Sequence, residues 1–253
     1  MGPMLFDELD VAGAPRELVA LGGVIDPPTL RAAYRNGVFP WPPSEADATR
    51  HDRVVRRLAR RGEVPLLPGT PDGPLVPWVS PQPRAVLLTG QVHVPRTVRQ
   101  LLRRSGWETT VDACFDEVVT RCADRPDGSW ITAAMRAGYA ALHREGGAHS
   151  LEVWDGDRLV GGLYGVLSGR VFSGESMFFL ESGASKVAVV DLCARLAEAG
   201  VPLLDTQQES EHLVALGQVL VDRAEYVEVA RSLQHESVAL PSYRRAVSAL
   251  AQA

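Results

Sequence analysis

Three polar side chains interrupt apolar segments in the second half of the chain, and their types suit hydrogen bonding and proton transfer at a reacting group. Glu175 lies inside the apolar run 171–179, and Asp205 and Gln207 directly follow the short apolar run 201–204. A charge in an apolar strand is costly unless it is paired or used. The Gln207 amide can donate to a developing oxyanion or orient an attacking nitrogen, and Asp205 can hold that amide or accept a proton. The pattern therefore indicates a functional site.

Structural interpretations of the same residues stay open. Asp205 could instead cap a helix that begins near Glu209, and Glu175 could make a buried structural hydrogen bond. Within a catalytic site, Asp205 could act as a base or only position Gln207.

The surrounding segments predict an α+β fold. Runs 151–154, 159–166 and 171–179 are separated by tight turns and predict an antiparallel meander. A periodic apolar segment from Lys186 to Ala199 predicts a helix that Gly200 ends, and helical patterns follow at 212–220 and 225–233. Glu175 and the Asp205–Gln207 pair thus flank one helix in a strand–helix–strand unit.

The strand 171–179 needs a break in its alternation if Phe172, Glu175 and Met177 are to surround one cavity. Residues 172 and 177 otherwise point to opposite faces of the strand. Gly174 is the natural place for a bulge that changes this parity.

A helix around residues 96–104 has a dry face and a basic face. At 100° per residue, Arg96, Arg99 and Arg103 fall within about 60° of each other, with Arg104 beside them. No acidic partner stands at helical spacing, so this stripe is predicted to bind phosphate. Lys186, at the start of a later helix, could also meet a phosphate or could be an ordinary surface lysine.

Two tryptophans stand in positions that fix an aromatic ring. Prolines surround Trp41 in the rigid segment Phe39-Pro40-Trp41-Pro42-Pro43, and Trp130 ends the turn 127–129. Trp41 can be a lid on the core or a stacking platform for a base or side chain.

Composition bounds the class of protein. The chain has 253 residues, 45% of them hydrophobic and 23% charged, with a net charge of −5, which is typical of a globular protein without bulk attraction to nucleic acid. The first residues lack the features of a signal peptide, and no apolar run reaches the roughly 18 residues of a membrane span. Three separated cysteines favour reduced thiols in a cytoplasmic protein over disulfides or zinc. The isolated His149 and His212 favour satisfied polar contacts, and no metal or cofactor is expected.

The first third of the chain shows a change in composition that predicts a domain boundary. Arginines crowd residues 50–61, as a solvated face or a phosphate contact, and residues 65–77 are rich in proline and glycine. We predict a small N-terminal domain over 1–83, with an insertion near 44–77, and a second domain over 84–253.

Many short stretches, spread in order over residues 18 to 217, together resemble the leucyl/phenylalanyl-tRNA–protein transferase family. The matching stretches are residues 21–23, 37–41 (Gly-Val-Phe-Pro-Trp), 78–81 (Trp-Val-Ser-Pro), 129–132 (Ser-Trp-Ile-Thr), 148–154, 159–166, 174–178 (Gly-Glu-Ser-Met-Phe), 184–186 (Ala-Ser-Lys) and 204–207 (Leu-Asp-Thr-Gln).

The resemblance implies a second domain of the acetyltransferase-like (GNAT) fold with a mostly antiparallel sheet. It also implies a reaction, the transfer of Leu or Phe, and of Met as well, from tRNA to proteins that begin with Arg or Lys, which tags them for degradation. Trp41 and Trp130 would lie at the terminal aminoacyl-adenosine and Glu175 near the aminoacyl amino group, while Asp205 and Gln207 would lie by the ester carbonyl. The stripe residues Arg99, Arg103 and Arg104 match the family's tRNA-binding cluster. Residues expected around the donor side chain are all apolar: Leu163, Phe172, Met177, Val189, Leu192 and Leu204.

The chain departs from the family pattern at a few positions. Thr206 stands where many members have Cys, Gln100 replaces one basic residue of the cluster, and Ser210 replaces an expected Asn. Two other functions compete with the transferase. An acyl-CoA acetyltransferase would need an Arg-x-x-Gly-x-Gly/Ala loop where this chain has residues 181–185, and a non-catalytic tRNA- or peptide-binding module would tolerate loss of Asp205 and Gln207.

Overall fold

The computed structural model describes residues 6–44, 47–124 and 129–252, which form two β-sheets with helices packed against them. Positions 127–128 of the predicted turn and 45–46 of the predicted insertion lie outside the described residues. The α+β class is confirmed. No helix in the described part of the chain is both long and apolar enough to span a bilayer.

The smaller sheet has four short strands in the order β2-β4-β1-β3. Its elements are β1 (Leu18–Gly22), α1 (Pro27–Arg35), β2 (Phe39–Pro40), α2 (Ala48–Arg60), β3 (Leu66–Leu67) and β4 (Pro77–Val79). Helix α1 begins where the Asp26 carboxylate accepts the backbone N–H of Thr29 at 2.9 Å, which is an N-cap. Because β2 and β4 pair Pro40 with Trp78, the segment before Trp41 is fixed to this sheet.

The larger sheet has eight strands in the order β11-β5-β10-β9-β8-β7-β6-β12. Its strands are β5 (Arg84–Leu88), β6 (Glu108–Val111), β7 (Ala148–Asp155), β8 (Arg158–Ser168), β9 (Val171–Phe179), β10 (Leu203–Gln207), β11 (Val219–Val221) and β12 (Arg245–Ala246). Strands β9 and β10 pair in parallel, and every other pairing in this sheet is antiparallel. The predicted meander is β7-β8-β9.

Six helices accompany the larger sheet: α3 (Arg96–Arg104), α4 (Phe115–Ala123), α5 (Ala133–Arg144), α6 (Ala184–Glu198), α7 (Glu211–Val214) and α8 (Arg223–Leu233). Two core clusters lie on the two faces of the sheet, one with α1, α4 and α5 and the other with α3 and α6. Alternation along β8 places Tyr164 in the first cluster and Leu163 in the second.

The prediction of one helix over 212–220 is wrong beyond its first turn. Helix α7 ends at Val214, Gly217 adopts a positive φ of 97°, and residues 219–221 pair with β5 as an edge strand. The β-branched Val219 and Val221 gain ladder hydrogen bonds there, which tertiary pairing supplies and local periodicity does not reveal.

Candidate active site

A cavity of about 380 Å³ opens where the parallel strands β9 and β10 stop pairing. Their register holds from Val171–Leu203 to Ser173–Asp205 and ends there. Residues 174–177 of β9, the last two residues of β10 and the following residues 208–210 then line the cavity, together with Trp41, Trp130 and α6 residues. The end of one parallel pairing thus creates the space between two strands.

A bulge in β9 turns Glu175 into this cavity, as the sequence predicted. Tyr164 pairs with Ser176, whereas the next residue of β8, Gly165, pairs with Gly174, so Glu175 is the extra residue without a partner in register. The bulge changes the parity of the strand, so Phe172 and Met177 pack on the same face of the sheet. Glu175 and Met177 both line the cavity.

The Glu175 carboxylate lies at the end of a hydrogen-bond chain. Gln207 donates from Nε2 to Oε1 at 2.6 Å, and the Tyr139 hydroxyl donates to Oε2 at 2.7 Å. A second hydroxyl, that of Tyr34, lies 2.6 Å from the Tyr139 hydroxyl. Burial raises the pKa of Glu175 to about 7, against the lowering effect of these hydrogen bonds, so the carboxyl can exchange a proton near neutral pH.

The Asp205 carboxylate is fully buried and is held from several directions. Arg84 donates two hydrogen bonds to it, from Nε to Oδ1 at 2.8 Å and from Nη2 to Oδ2 at 2.7 Å. Ser173 and Tyr226 donate to Oδ2 at 3.0 and 2.8 Å. Asp205 is 0% exposed and does not line the cavity, so this carboxylate is a buried partner of Arg84 rather than a group open to substrate.

Gln207 connects the buried carboxylate to the cavity. Its backbone N–H donates to Asp205 Oδ1 at 2.9 Å, and its side chain reaches Glu175. The residue has φ of 66°, one of two positive-φ non-glycine positions in the described part of the chain. Such a conformation is uncommon for glutamine and persists only where the surroundings fix it. Asp205 therefore orients the backbone of Gln207 rather than its side-chain amide.

An aromatic rim and an apolar wall complete the cavity. The ring centroids of Trp41 and Trp130 are 6.4 Å apart at 46°, and Trp41 is 37% exposed. The apolar wall contains five of the six residues expected around the donor side chain: Leu163, Met177, Val189, Leu192 and Leu204. Phe172 does not line the cavity; it is fully buried in the core cluster to which the wall residues also belong.

The four arginines of α3, hereafter the arginine stripe (Arg96, Arg99, Arg103 and Arg104), are all exposed. None of them forms an ion pair with any residue that the structure describes. Their side chains therefore face solvent, and none of the four lines the cavity.

Four residues of this site were not expected as functional from the sequence: Tyr34, Tyr139, Arg84 and Tyr226. All four share one feature, a hydroxyl or guanidinium group on a side chain that is otherwise buried. Buried tyrosines normally find a hydrogen-bond partner, and a buried arginine requires an acidic one. The partner of each cannot be read from neighbouring residues, because the contacting residues are far apart in sequence. Tyr34 and Tyr139 are 105 residues apart, and Arg84 and Asp205 are 121 residues apart.

Comparison with known proteins gives a consistent result. A family model described as leucyl/phenylalanyl-tRNA protein transferase matches residues 86–231, and one for the N-terminal domain of that transferase matches residues 23–48. A leucyl/phenylalanyl-tRNA–protein transferase of Xylella fastidiosa (strain M12) is 41% identical over 223 residues, 87% of this chain and 80% of that protein. Proteins of the same name from Xanthomonas oryzae pv. oryzae (strain MAFF 311018) and Proteus mirabilis (strain HI4320) are 42% and 41% identical, covering 84% and 85% of this chain and 76% and 81% of theirs.

Proposed function

The chain belongs to the leucyl/phenylalanyl-tRNA–protein transferase family, and we propose that the cavity between β9 and β10 transfers Leu or Phe from tRNA to the α-amino group of a protein. The observation that carries the proposal is the Glu175–Gln207 pair at the mouth of an apolar, aromatic-rimmed cavity. Such a cavity accepts an apolar side chain and holds polar groups beside the ester that follows it.

The reaction needs positioning more than strong chemistry. The acceptor nitrogen attacks the ester carbonyl carbon, a C–N bond forms, and the ester C–O bond breaks. The attacking nitrogen loses one proton, and the departing ribose hydroxyl gains one. Because the ester is already activated and an α-amino group has a pKa near 8, roughly a tenth of the amine is neutral at pH 7.

We assign the roles of the polar residues from their contacts. Gln207 donates to the oxyanion or orients the attacking nitrogen, and Glu175 faces the donor amino group, where its raised pKa also suits proton exchange. Asp205 is a positioning residue, since Arg84, Ser173 and Tyr226 surround its carboxylate.

The aromatic rim and the apolar wall suit the two ends of the donor. Trp41 and Trp130 offer ring faces for the terminal adenine, and base–aromatic stacking contributes about 1–3 kcal/mol per base. The wall has no polar group with which to reject an isostere, so it selects by shape and accepts Leu, Phe and Met. Val and Ile are disfavoured by their β-branch. We propose that the arginine stripe binds the tRNA backbone.

An exposed carboxylate at the rim supports an acceptor that begins with Arg or Lys. Glu209 lines the cavity two residues after Gln207, is exposed, and has no ion-pair partner among the residues the structure describes. Two residues of chain span at most about 7 Å. A basic side chain on the first residue of the acceptor can therefore reach Glu209 while its amine lies by Gln207. Such acceptors would be tagged for degradation.

Further parts of the proposal concern architecture and location. The diverging parallel pair β9–β10 in an otherwise antiparallel sheet supports an acetyltransferase-like (GNAT) domain over 84–253, after an N-terminal domain over 1–83. The substrates of the family support a cytoplasmic location.

The test is transfer itself. The protein is incubated with radiolabelled Leu-tRNA and peptides that differ only in their first residue, Arg, Lys, Ala or Asp. Labelled peptide is expected with Arg and Lys. Labelling with none of the peptides would overturn the function, and equal labelling of all four would remove the acceptor preference.

The role of Glu209 has its own test. Glu209→Arg should weaken transfer to Arg-peptides and improve transfer to Asp-peptides. A matched substitution at the exposed Glu211, which does not line the cavity, should leave this ratio unchanged.

A further inference from the structure

A second groove, of about 430 Å³, lies between α3 and the start of α6. Its lining includes Thr97 and Leu101 of α3, Phe179 of β9, Ser185 and Lys186 of α6, and His212 of α7. The groove therefore borders both the helix of the arginine stripe and three of the elements that line the active-site cavity.

The groove and the cavity are continuous along two elements. Met177 lines the cavity and Phe179 lines the groove, and these residues share one face of β9 about 7 Å apart. Lys186 in the groove and Val189 in the cavity are three residues apart on α6, one turn of helix. The groove thus adjoins the cavity along β9 and α6 and is bordered on its other side by α3, the helix that carries the stripe.

Phe179 is unusual for a residue on a well-ordered strand. It is 61% exposed, and its cross-strand neighbour on β8 is Gly161, which has no side chain to cover the ring. An uncovered aromatic face beside a polar groove is a surface on which a base can stack.

The groove is also positively charged. Lys186 is the single lysine of a chain with 26 basic residues, and it has no ion-pair partner in the described part of the chain. Glu181, in the turn that precedes α6, is paired with Arg158 at 2.7 Å. Burial and the Lys186 ammonium lower the pKa of His212, so its imidazole is neutral at pH 7 and adds no charge.

We propose that this groove binds the single-stranded nucleotides that precede the terminal adenosine of the donor tRNA, with one base on Phe179 and one phosphate at Lys186. The proposal rests on the proposed function, because it places the strand between the arginine stripe and the aminoacyl end. Unpaired RNA bases bind aromatic rings, and backbone phosphates bind cations without sequence preference.

The test compares donors of three lengths: aminoacyl-adenosine, the aminoacylated trinucleotide CCA and full aminoacyl-tRNA. Phe179→Ala should raise KM for the trinucleotide and the tRNA by about 5- to 100-fold, the range of one lost stacked base. Transfer from aminoacyl-adenosine should not change. Lys186→Gln should reduce the salt dependence of trinucleotide binding by about one phosphate contact. Leu180→Ala is the matched control, because Leu180 is 52% exposed and adjacent but does not line the groove.

Direct binding of fluorescent CCA and unacylated tRNA is measured beside transfer, so the groove is judged even if no transfer occurs. Lys186 also gives a readout in the unmodified protein, since it is the only side chain that carries a primary amine. CCA should protect it from an amine-reactive reagent, and adenosine should not. An equal loss with all three donors, unchanged CCA binding in both variants, or a rise only in the acceptor's KM would overturn the proposal.

Discussion

Glu175→Gln should stabilise the protein relative to wild type, and this stabilisation should be larger at pH 8 than at pH 5. Burial raises the pKa of this carboxyl from its ordinary 4.5 to about 7. The folded state therefore holds the proton more tightly than the unfolded state. As pH rises through this window, the unfolded state ionises first, and stability is lost. A neutral amide of the same shape does not ionise and avoids that loss.

The two pKa values set the size of the effect. The linkage between proton binding and folding lowers the free energy of unfolding of the wild type by about 1 kcal/mol at pH 5 and about 3 kcal/mol at pH 8. The stability gained by Glu175→Gln should therefore grow by about 2 kcal/mol between the two pH values. The amide must rearrange its hydrogen bonds with Tyr139 and Gln207. That cost is the same at both pH values and cancels in the difference.

The assay is urea unfolding of wild type and variant at pH 5 and pH 8, with transfer measured in parallel. Glu209→Gln is the control, because an exposed rim residue should change stability little at either pH. A stability difference that is the same at both pH values would refute the reasoning. A variant that is more stable at pH 8 and also inactive would show that the buried carboxylate is kept for chemistry at the expense of stability.

Three further outcomes are expected at the site. Gln207→Ala and Asp205→Ala should each lower kcat/KM at least 10²-fold while aminoacyl-tRNA still binds. Only Asp205→Ala should also destabilise the fold, by about 3–5 kcal/mol, because it leaves Arg84 buried without its acidic partner. Near-normal turnover in either variant contradicts these roles, and urea unfolding checks the difference. Replacing Arg99, Arg103 and Arg104 of the stripe together with Gln should weaken tRNA binding and flatten its salt dependence, while transfer from aminoacyl-adenosine stays the same. Val189→Phe should lower kcat/KM for Phe more than for Leu or Met, and a uniform loss would indicate damaged packing.

The parts of the site that sequence predicts are those that depend on neighbours along the chain. The parity argument at Gly174 predicts the bulge because a strand alternates with period two, and with the bulge Phe172 and Met177 pack on the same face of the sheet. The same argument does not decide which residues of that face line the cavity and which are buried in the core. Phe172 belongs to the same core cluster as Leu163 and Leu204 but, unlike them, does not line the cavity, and only the packed sheet determines that difference.

The partners of the polar groups depend on contacts between distant segments. Periodicity in α1 and α5 marks Tyr34 and Tyr139 as core residues, which they are, but gives no reason for their hydroxyls to meet at Glu175. Arg84 begins a strand whose other residues are apolar, so its charge required an acid. Several carboxylates could have served, and the antiparallel register of β5 with β10 selects Asp205.

This selection explains how an aspartate that does not line the cavity can position a residue that does. A glutamine with positive φ carries backbone strain of order 1–3 kcal/mol, and something must offset it. The Asp205 carboxylate does so by accepting the Gln207 N–H at 2.9 Å, and the two hydrogen bonds from Arg84 fix that carboxylate in place. Arg84 also donates to the carbonyl of Gly37 at 3.0 Å, four residues before Trp41. One buried ion pair thus fixes both the backbone of Gln207 and the segment that leads to Trp41.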